Sequence, residues 1–234
     1  MRRWVLVVAM FGLIGFCATA HSAAEHSKSA SAAKKAATPT TQWDRNLLKN
    51  GGGEVEGKDS KDVRGWKGIE GLSDSKYGSE SGEWDWGLSG CTSCGNRYLR
   101  LAFDRGTHEL ATSQTVNVSP SAAEIDKGDV TAEISAYLGG FRNSNTVATL
   151  KASFQDAADK ELGAIETKPY DTKELPKAAK GSTGLVECKT SGAVPSGTKT
   201  IVFTWKATAT DDSGDYLGLG DNFSLVLSKP KKEN

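Results

Sequence analysis

The feature that most constrains the fold is a period-two alternation of apolar and polar side chains over short stretches. In residues 200–209 the odd positions are Ile, Phe, Trp, Ala and Ala, and the even positions are Thr, Val, Thr, Lys and Thr. Residues 146–154 and 222–228 repeat the pattern. Because successive side chains of a β-strand point to opposite faces of a sheet, each stretch predicts a strand with one buried face.

Weaker alternation predicts further strands, and only one segment predicts a helix. The additional strands are expected at residues 46–49, 63–67, 97–103, 113–118, 130–137, 162–167 and 185–189. A short helix is predicted to start with Ser119 as the N-cap and Pro120 in the first turn, and to end at Gly128. Roughly ten strands without a long helix predict an all-β chain, an antiparallel β-sandwich of jelly-roll topology. A doubly wound α/β fold would need helices of about 10–15 residues between its strands.

The N-terminus predicts export. Arg2 and Arg3 precede an uncharged apolar run that ends at Phe16, and the small residues Ala18-Thr19-Ala20 follow. This order is typical of a secretory signal peptide over residues 1–20. The run is short for the roughly 30 Å of membrane hydrocarbon, so no membrane span is expected in the mature form, although an uncleaved anchor is the alternative. We therefore expect a secreted or periplasmic/extracellular protein.

The remaining chain divides by composition. Residues 21–42 are rich in Ser, Ala, Lys and Thr and predict a flexible linker, residues 43–228 predict the β-sandwich domain, and residues 229–234 predict a charged tail. Basic and acidic residues balance at 29 each, so there is no net basic charge to attract nucleic acid. We expect a monomer without a nucleic-acid partner.

Two motifs at the ends of the expected domain resemble a known family. Asn46-Leu-Leu-Lys-Asn-Gly-Gly-Gly-Glu54 is similar to the opening strand of galactose-binding-like jelly rolls, which include carbohydrate-binding modules of secreted bacterial proteins. The segment from Gly214 to Leu227, with its Asp-Asn-Phe-Ser-Leu run, resembles their closing strand. The resemblance spans about residues 46–228. One departure is Gly53, which occupies a position where the family usually has Phe.

The resemblance implies a structural calcium ion where the first and last strands meet. Calcium takes six to eight oxygen ligands, often carboxylates combined with backbone carbonyls. The positions that match the family are Glu54 and Asp221, and Asp212 and Asp215 in the preceding loop are secondary candidates. The alternative is that these carboxylates are ordinary turn and surface acids.

The resemblance also implies carbohydrate binding, which uses aromatic faces and a few hydrogen-bonding groups. Trp84 and Trp86 would fall on one side of an extended segment, and Tyr77 and Trp66 lie in the same Gly/Ser-rich region. The second candidate cluster comprises Tyr137, Phe141, Arg142, Asn143 and Asn145. Aromatic residues of a small sandwich also build its core, and the alternating pattern assigns Trp205 to that core.

The domain contains three cysteines. In an exported chain, the Cys-Thr-Ser-Cys spacing of Cys91 and Cys94 predicts a local disulfide and leaves Cys188 buried in its strand. A disulfide from Cys188 to either of the other two is an alternative. A zinc site from the three cysteines and His108 is a further alternative, but the second ligand pair of a typical zinc motif is missing.

These features favour a binding module over an enzyme. His108 lacks the Ser and Asp motifs of a hydrolase triad, and the Gly51–Gly53 run lacks the Lys of a phosphate-binding loop. We therefore expect a non-catalytic recognition module whose partner is a carbohydrate or another cell-surface or extracellular ligand. The alternatives are a structural or adhesive protein that binds another protein, and a small secreted glycoside hydrolase with an unlocated acid pair.

Overall fold

The alternating stretches build two stacked antiparallel sheets. A computed structural model describes residues 42–55, 63–67, 71–77, 91, 93–102, 107–140, 146–171, 184–210 and 217–230. The strands are β1 (Leu72–Lys76), β2 (Arg97–Ala102), β3 (Glu109–Asn117), β4 (Thr131–Gly140), β5 (Thr146–Gln155), β6 (Glu161–Glu166), β7 (Tyr170–Asp171), β8 (Gly184–Ala193), β9 (Thr200–Ala209) and β10 (Leu217–Ser228). A 3₁₀ turn (Ser119–Ser121) and the single-turn helix α1 (Ala122–Ile125) connect β3 to β4.

The strand order gives a jelly-roll sandwich. The first sheet has the order β1-β2-β10-β4-β8, and the second has the order β3-β9-β5-β6, with β7 paired to β5. From β2 to β5, and again from β8 to β10, consecutive strands alternate between the two sheets. Every pairing between these strands is antiparallel. The predicted fold class, an all-β jelly-roll sandwich, is confirmed.

The core lies between the sheets and follows the predicted alternation. Ile201, Phe203 and Trp205 on β9 are completely buried. The Trp205 and Phe223 rings lie 4.9 Å apart, and Trp66 packs edge-on against Phe223 at 5.1 Å. Trp66 is therefore a core residue, and its interpretation as a sugar-contacting candidate is wrong.

The predicted strand at residues 46–49 is wrong, because an asparagine side chain makes bonds that a neighbouring strand would make. Asn46 donates from Nδ2 to the Phe223 carbonyl at 2.8 Å, and its Oδ1 accepts from Leu48 N at 3.0 Å and from Leu225 N at 3.1 Å. The backbone pairing of this region with β10 is limited to two isolated bridges, Trp43 to Leu227 and Asn46 to Val226, so no continuous ladder forms. The segment is thus fixed along β10 without becoming a strand.

Three other local predictions differ from the structure. The stretch at 63–67 contributes a single bridge, from Lys67 to Ser113. Ser119 is the first residue of the 3₁₀ turn rather than an N-cap, and its hydroxyl donates to Lys199 O at 3.4 Å. Strands β1 and β7 were not predicted, since β1 has the polar sequence Leu-Ser-Asp-Ser-Lys and β7 has two residues.

A second apolar cluster lies on the outer face of the first sheet. Its buried members are Tyr98, Leu185 and Leu219, from β2, β8 and β10. Partly buried residues pack around them, namely Tyr77, Cys91, Cys94, Ala102 and Tyr137. Within the described part of the chain, no helix has the length and apolar character needed to cross a membrane.

Candidate functional site

The site is built at an irregularity in the last strand. The pairing of β10 with β4 shifts register between Asp221, which is opposite Tyr137, and Ser224, which is opposite Ser135. Asn222 lies in this bulge with φ of 51°, a left-handed conformation that Asn tolerates better than most residues. The bulge places the Asp221 carboxylate beside the outer cluster of the first sheet.

Asp221 is a buried carboxylate with two hydrogen-bond donors. Its side chain has no exposed surface. Tyr77 donates its hydroxyl to Oδ2 at 2.8 Å, and the Asn222 backbone N–H donates to Oδ1 at 2.6 Å. Burial raises the pKa of Asp221 to about 6 despite these two bonds, and the Glu54 carboxylate adds to the rise. Among the described residues, no cation is one of the groups that shift this pKa.

Glu54 approaches the Asp221 carboxylate from the Gly51–Gly53 turn, which we call the N-terminal turn. A Cβ placed on Gly52 would lie 3.2 Å from Asp221 Oδ1 and 3.6 Å from Glu54 Cγ. The Glu54 carboxylate packs directly against Gly95, and its Oε1 accepts a hydrogen bond from Arg97 N at 2.9 Å. The structure thus brings together the two carboxylates that the sequence places 167 positions apart.

The Cys91–Cys94 disulfide forms one wall of the site. The predicted pairing is confirmed. Asn222 Nδ2 donates to Ser93 O at 3.1 Å and approaches Cys91 Sγ at 3.5 Å, so the bulge and the disulfide loop are held together. The disulfide occupies two of the four ligands of the alternative zinc site that included His108, and that arrangement is wrong for this form of the protein.

Cys188 is the free cysteine of the described chain, but it is only partly buried. It lies on β8 and packs against the main core. Burial, followed by the charge of Glu187, raises the pKa of the Cys188 thiol to about 11. The thiol is therefore protonated and unreactive at neutral pH.

The donor set fits a hard cation such as calcium. Glu54 and Asp221 supply carboxylate oxygens, and a Cβ on Gly52 would lie 3.7 Å from Asn222 Oδ1. Tyr77 is held as a hydrogen-bond donor, because burial and then the Asp221 carboxylate raise its pKa well above the ordinary value. Two adjacent carboxylates, one of them fully buried, would be stabilised by a cation that neutralises them.

Of the predicted ligand-binding residues, the structure describes Tyr77 and Tyr137. Tyr77 belongs to the carboxylate site, where its ring also packs 4.9 Å from that of Tyr98. Tyr137 lies partly exposed on the outer face of the first sheet, opposite Asp221 on one side and Glu187 on the other. Trp84, Trp86, Arg142 and Asn143 lie outside the described residues, as do Asp212 and Asp215.

Sequence reasoning missed two residues that shape the site. Asn222 connects the bulge to the disulfide loop, and Arg97 fixes Glu54 through its backbone N–H while its side chain pairs with Asp74. The Asp221-Asn222 dipeptide was part of the closing-strand motif and was the available signal for Asn222. Arg97 acts through its backbone and leaves no such signal.

Comparison with known proteins gives only structural similarity. No protein-family model and no curated protein sequence matches the chain. Similar solved structures include a family 61 carbohydrate-binding module in complex with β-1,4-galactotriose, with 16% identity, TM-score 0.44, and 80% of this chain and 99% of that one covered. Another is the xylan-binding CBM22-1 domain from Paenibacillus barcinonensis, with 11% identity, TM-score 0.44, and 82% and 99% covered.

A third similar structure is larger. The enzymatically active domain of tailspike protein 4 from bacteriophage CBA120 has 14% identity and a TM-score of 0.45 over 78% of this chain. This chain spans about a fifth of that tailspike domain, 21% of its length. The strand order and the carboxylate site of the protein itself define its class: a jelly-roll β-sandwich with a buried acidic site where its first described segment meets its last strand.

Proposed function

We propose that the protein is a secreted, non-catalytic recognition module that binds carbohydrate on the outer face of its first sheet and is stabilised by calcium at Glu54 and Asp221. The observation that carries the binding proposal is Tyr137. It is the predicted ligand-binding aromatic that lies partly exposed on a sheet face, opposite the exposed Glu187 of β8.

The surroundings of Tyr137 suit a sugar. Part of the residue packs against the apolar cluster of Tyr98, Leu185 and Leu219. Glu187 and Lys189 on β8 and Ser135 on β4 share its outward face by register. An aromatic ring can stack on the apolar C–H face of a sugar while carboxylate, ammonium and hydroxyl groups address its hydroxyls.

A pair of substitutions at one position tests the binding proposal. Binding is first surveyed on a polysaccharide array that includes β-1,4-galactan and xylan, and the best ligand is then measured by calorimetry. Tyr137→Ala is expected to weaken binding at least about tenfold, whereas Tyr137→Phe keeps the ring and stays close to wild type. Equal affinities for all three proteins would contradict the assignment of this face.

The predicted Trp84 and Trp86 contacts are tested separately. If these residues form a second part of the binding surface, the double change Trp84→Ala with Trp86→Ala weakens glycan binding while the melting temperature stays near that of wild type. Retained affinity in the double variant restricts the proposal to the Tyr137 face.

The same preparations test whether the module is non-catalytic. Incubation with the bound polysaccharide is expected to release no reducing sugar. Release that disappears on replacement of an acidic residue would instead identify a hydrolase. Capture of a purified extracellular protein together with no glycan binding would identify an adhesive protein.

The calcium part of the proposal is supported by the donor set. Two carboxylates and an amide oxygen surround Gly52, and burial of Asp221 makes its uncompensated charge costly. A bound cation would connect the N-terminal turn to β10. Its role would be structural, because it would hold Glu54 and Asp221 together at that junction.

A further inference from the structure

Two sulfur atoms and a buried carboxylate converge at the disulfide loop. Cys91 Sγ, Cys94 Sγ and a carboxylate oxygen of Asp221 all lie within 4.8 Å of one another. The Asp221 side chain is completely buried, and it comes from a strand more than 120 residues away in sequence. A third potential ligand, distant in sequence, thus lies beside the Cys-x-x-Cys pair.

We propose that the reduced form of the protein binds a zinc-class divalent ion through the Cys91 and Cys94 thiolates and the Asp221 carboxylate. Zinc accepts thiolate sulfur at about 2.3 Å and carboxylate oxygen at about 2.0–2.2 Å, and four-coordinate sites are tetrahedral. Two sulfurs on one such ion are about 3.8 Å apart, a separation that follows from these bond lengths. The two Cα atoms are 5.3 Å apart, so side-chain rotation suffices to reach it. Water supplies the fourth ligand.

Metal binding requires two steps, reduction of the disulfide and then coordination of the ion. A dithiol reductant passes two electrons and two protons to the Cys91–Cys94 disulfide, which breaks the S–S bond, gives two thiols and leaves the reductant as its own disulfide. The divalent ion then displaces one proton from each thiol and coordinates the two thiolates and the Asp221 carboxylate. Reoxidation of the pair removes both sulfur ligands and releases the ion.

The surroundings hold the three ligands in place without the S–S bond. Asn222, the residue after Asp221, donates to Ser93 O between the two cysteines. Tyr77 orients the Asp221 carboxylate through Oδ2. Cys188 is not a member of this ligand group, because it lies on β8 and packs against the core between the sheets.

Metal titration of oxidised and reduced protein tests the proposal. The full chain is treated with a phosphine reductant, which is then removed without air. Zinc is measured by calorimetry, and cobalt(II) is added as a spectroscopic probe of thiolate coordination. One equivalent of each metal is expected to bind the reduced protein, with cobalt–thiolate absorption, and this absorption is expected to be absent from the disulfide form.

Three variants separate this site from other thiol sites. Asp221→Asn is expected to weaken zinc binding to the reduced protein at least about tenfold, and Cys91→Ser with Cys94→Ser removes the cobalt–thiolate signal. Cys188→Ser is the matched control and leaves both measurements unchanged. Thermal unfolding is followed for each protein.

Either of two results overturns the proposal. One is equal zinc affinity of wild type and Asp221→Asn in the reduced state. Equal affinities would mean that the thiols alone bind the ion, as they would in an unfolded chain. The other is loss of binding in Cys188→Ser. The calcium proposal is independent of these outcomes, because it concerns the disulfide form. Both ions would use Asp221, so one molecule would not bind both ions at once.

Discussion

Gly53 shows how a single residue departs from the pattern of the resembled family. Its φ is 70°, and a Cβ at this position would lie 2.8 Å from Leu99 Cδ2. The Leu99 side chain therefore occupies the space beside Gly53, and the backbone has a left-handed conformation that favours glycine. Leu99 is completely buried, so it packs against the Gly53 backbone as part of the main core.

The first prediction compares two glycines with similar backbones. Gly197 has φ of 87°, but a Cβ added there would lie 3.5 Å from its nearest neighbour, Leu162 Cδ1, which is an ordinary contact. Both Gly→Ala changes place an alanine in a left-handed backbone conformation, which is unfavourable. Only Gly53→Ala also brings its Cβ into a clash. Gly53→Ala is expected to lower the free energy of unfolding by about 1–3 kcal/mol more than Gly197→Ala. Urea denaturation measures both, and equal losses would show that Leu99 moves aside freely.

The second prediction concerns Cys188. A thiol with a pKa of about 11 is only about one part in a thousand thiolate at pH 8, since each unit below the pKa lowers that fraction about tenfold. Alkylation of the folded oxidised protein should therefore be far slower than alkylation of the same protein in denaturant, and it should accelerate as pH rises toward 11. Reaction of the folded protein at the rate of an unstructured thiol would contradict the burial of this side chain.

At the scale of elements, the N-terminal segment is held by side-chain bonds in addition to separate backbone bonds to β10, such as Leu47 N to Leu225 O at 2.8 Å. Asn46 makes three bonds to backbone groups, and Gln114 on β3 accepts from Lys49 N at 2.9 Å and donates to Lys49 O at 2.7 Å. The chain continues from Lys49 into the Gly51–Gly53 turn and then to Glu54. Anchoring of this segment therefore determines where Glu54 lies.

The third prediction follows from that anchoring. Asn46→Ala leaves Phe223 O, Leu48 N and Leu225 N without their side-chain partner, and we expect a loss of about 1–3 kcal/mol in unfolding free energy. Asn117→Ala is the control, because the described contact of Asn117 Oδ1 on the exposed end of β3 is a single bond to Ser119 N. Chemical denaturation compares the two, and similar small losses would show that Asn46 is not an anchor.

Sequence patterns predicted the elements whose burial alternates and failed where pairing depends on tertiary contacts. The alternation in β9 shows directly which residues are buried. The sequence of β1 carries little such pattern, because its register is set by pairing of Leu72–Lys76 with β2. In the site, the motifs indicated Glu54 and Asp221, whereas the hydrogen bond between Tyr77 and Asp221 joins residues 144 positions apart and has no local signal.

For the whole molecule, the carboxylate site makes stability depend on pH in an unusual direction. The pKa of Asp221 is raised to about 6 from an ordinary value of 3.8, so between these values the folded state binds more protons than the unfolded state. Stability from this group is therefore present at low pH and lost as pH rises through 6. The shift corresponds to about 3 kcal/mol.

The fourth prediction isolates this effect from the other titrating groups. In chelator, the unfolding free energy of wild type minus that of Asp221→Asn is expected to fall as pH rises from 4 to 7. Denaturation at several pH values gives both curves. A difference that is constant or rises over this range would contradict the buried environment described for Asp221.

The most direct measurement is the melting temperature of the oxidised protein at pH 7 in calcium and in chelator. Binding to the folded state alone raises stability by mass action, so wild type is predicted to melt at a higher temperature in calcium. Glu54→Gln and Asp221→Asn are each predicted to lose most of that increase. A wild-type melting curve that is the same in calcium and in chelator would contradict a calcium site at the junction of the N-terminal turn with β10.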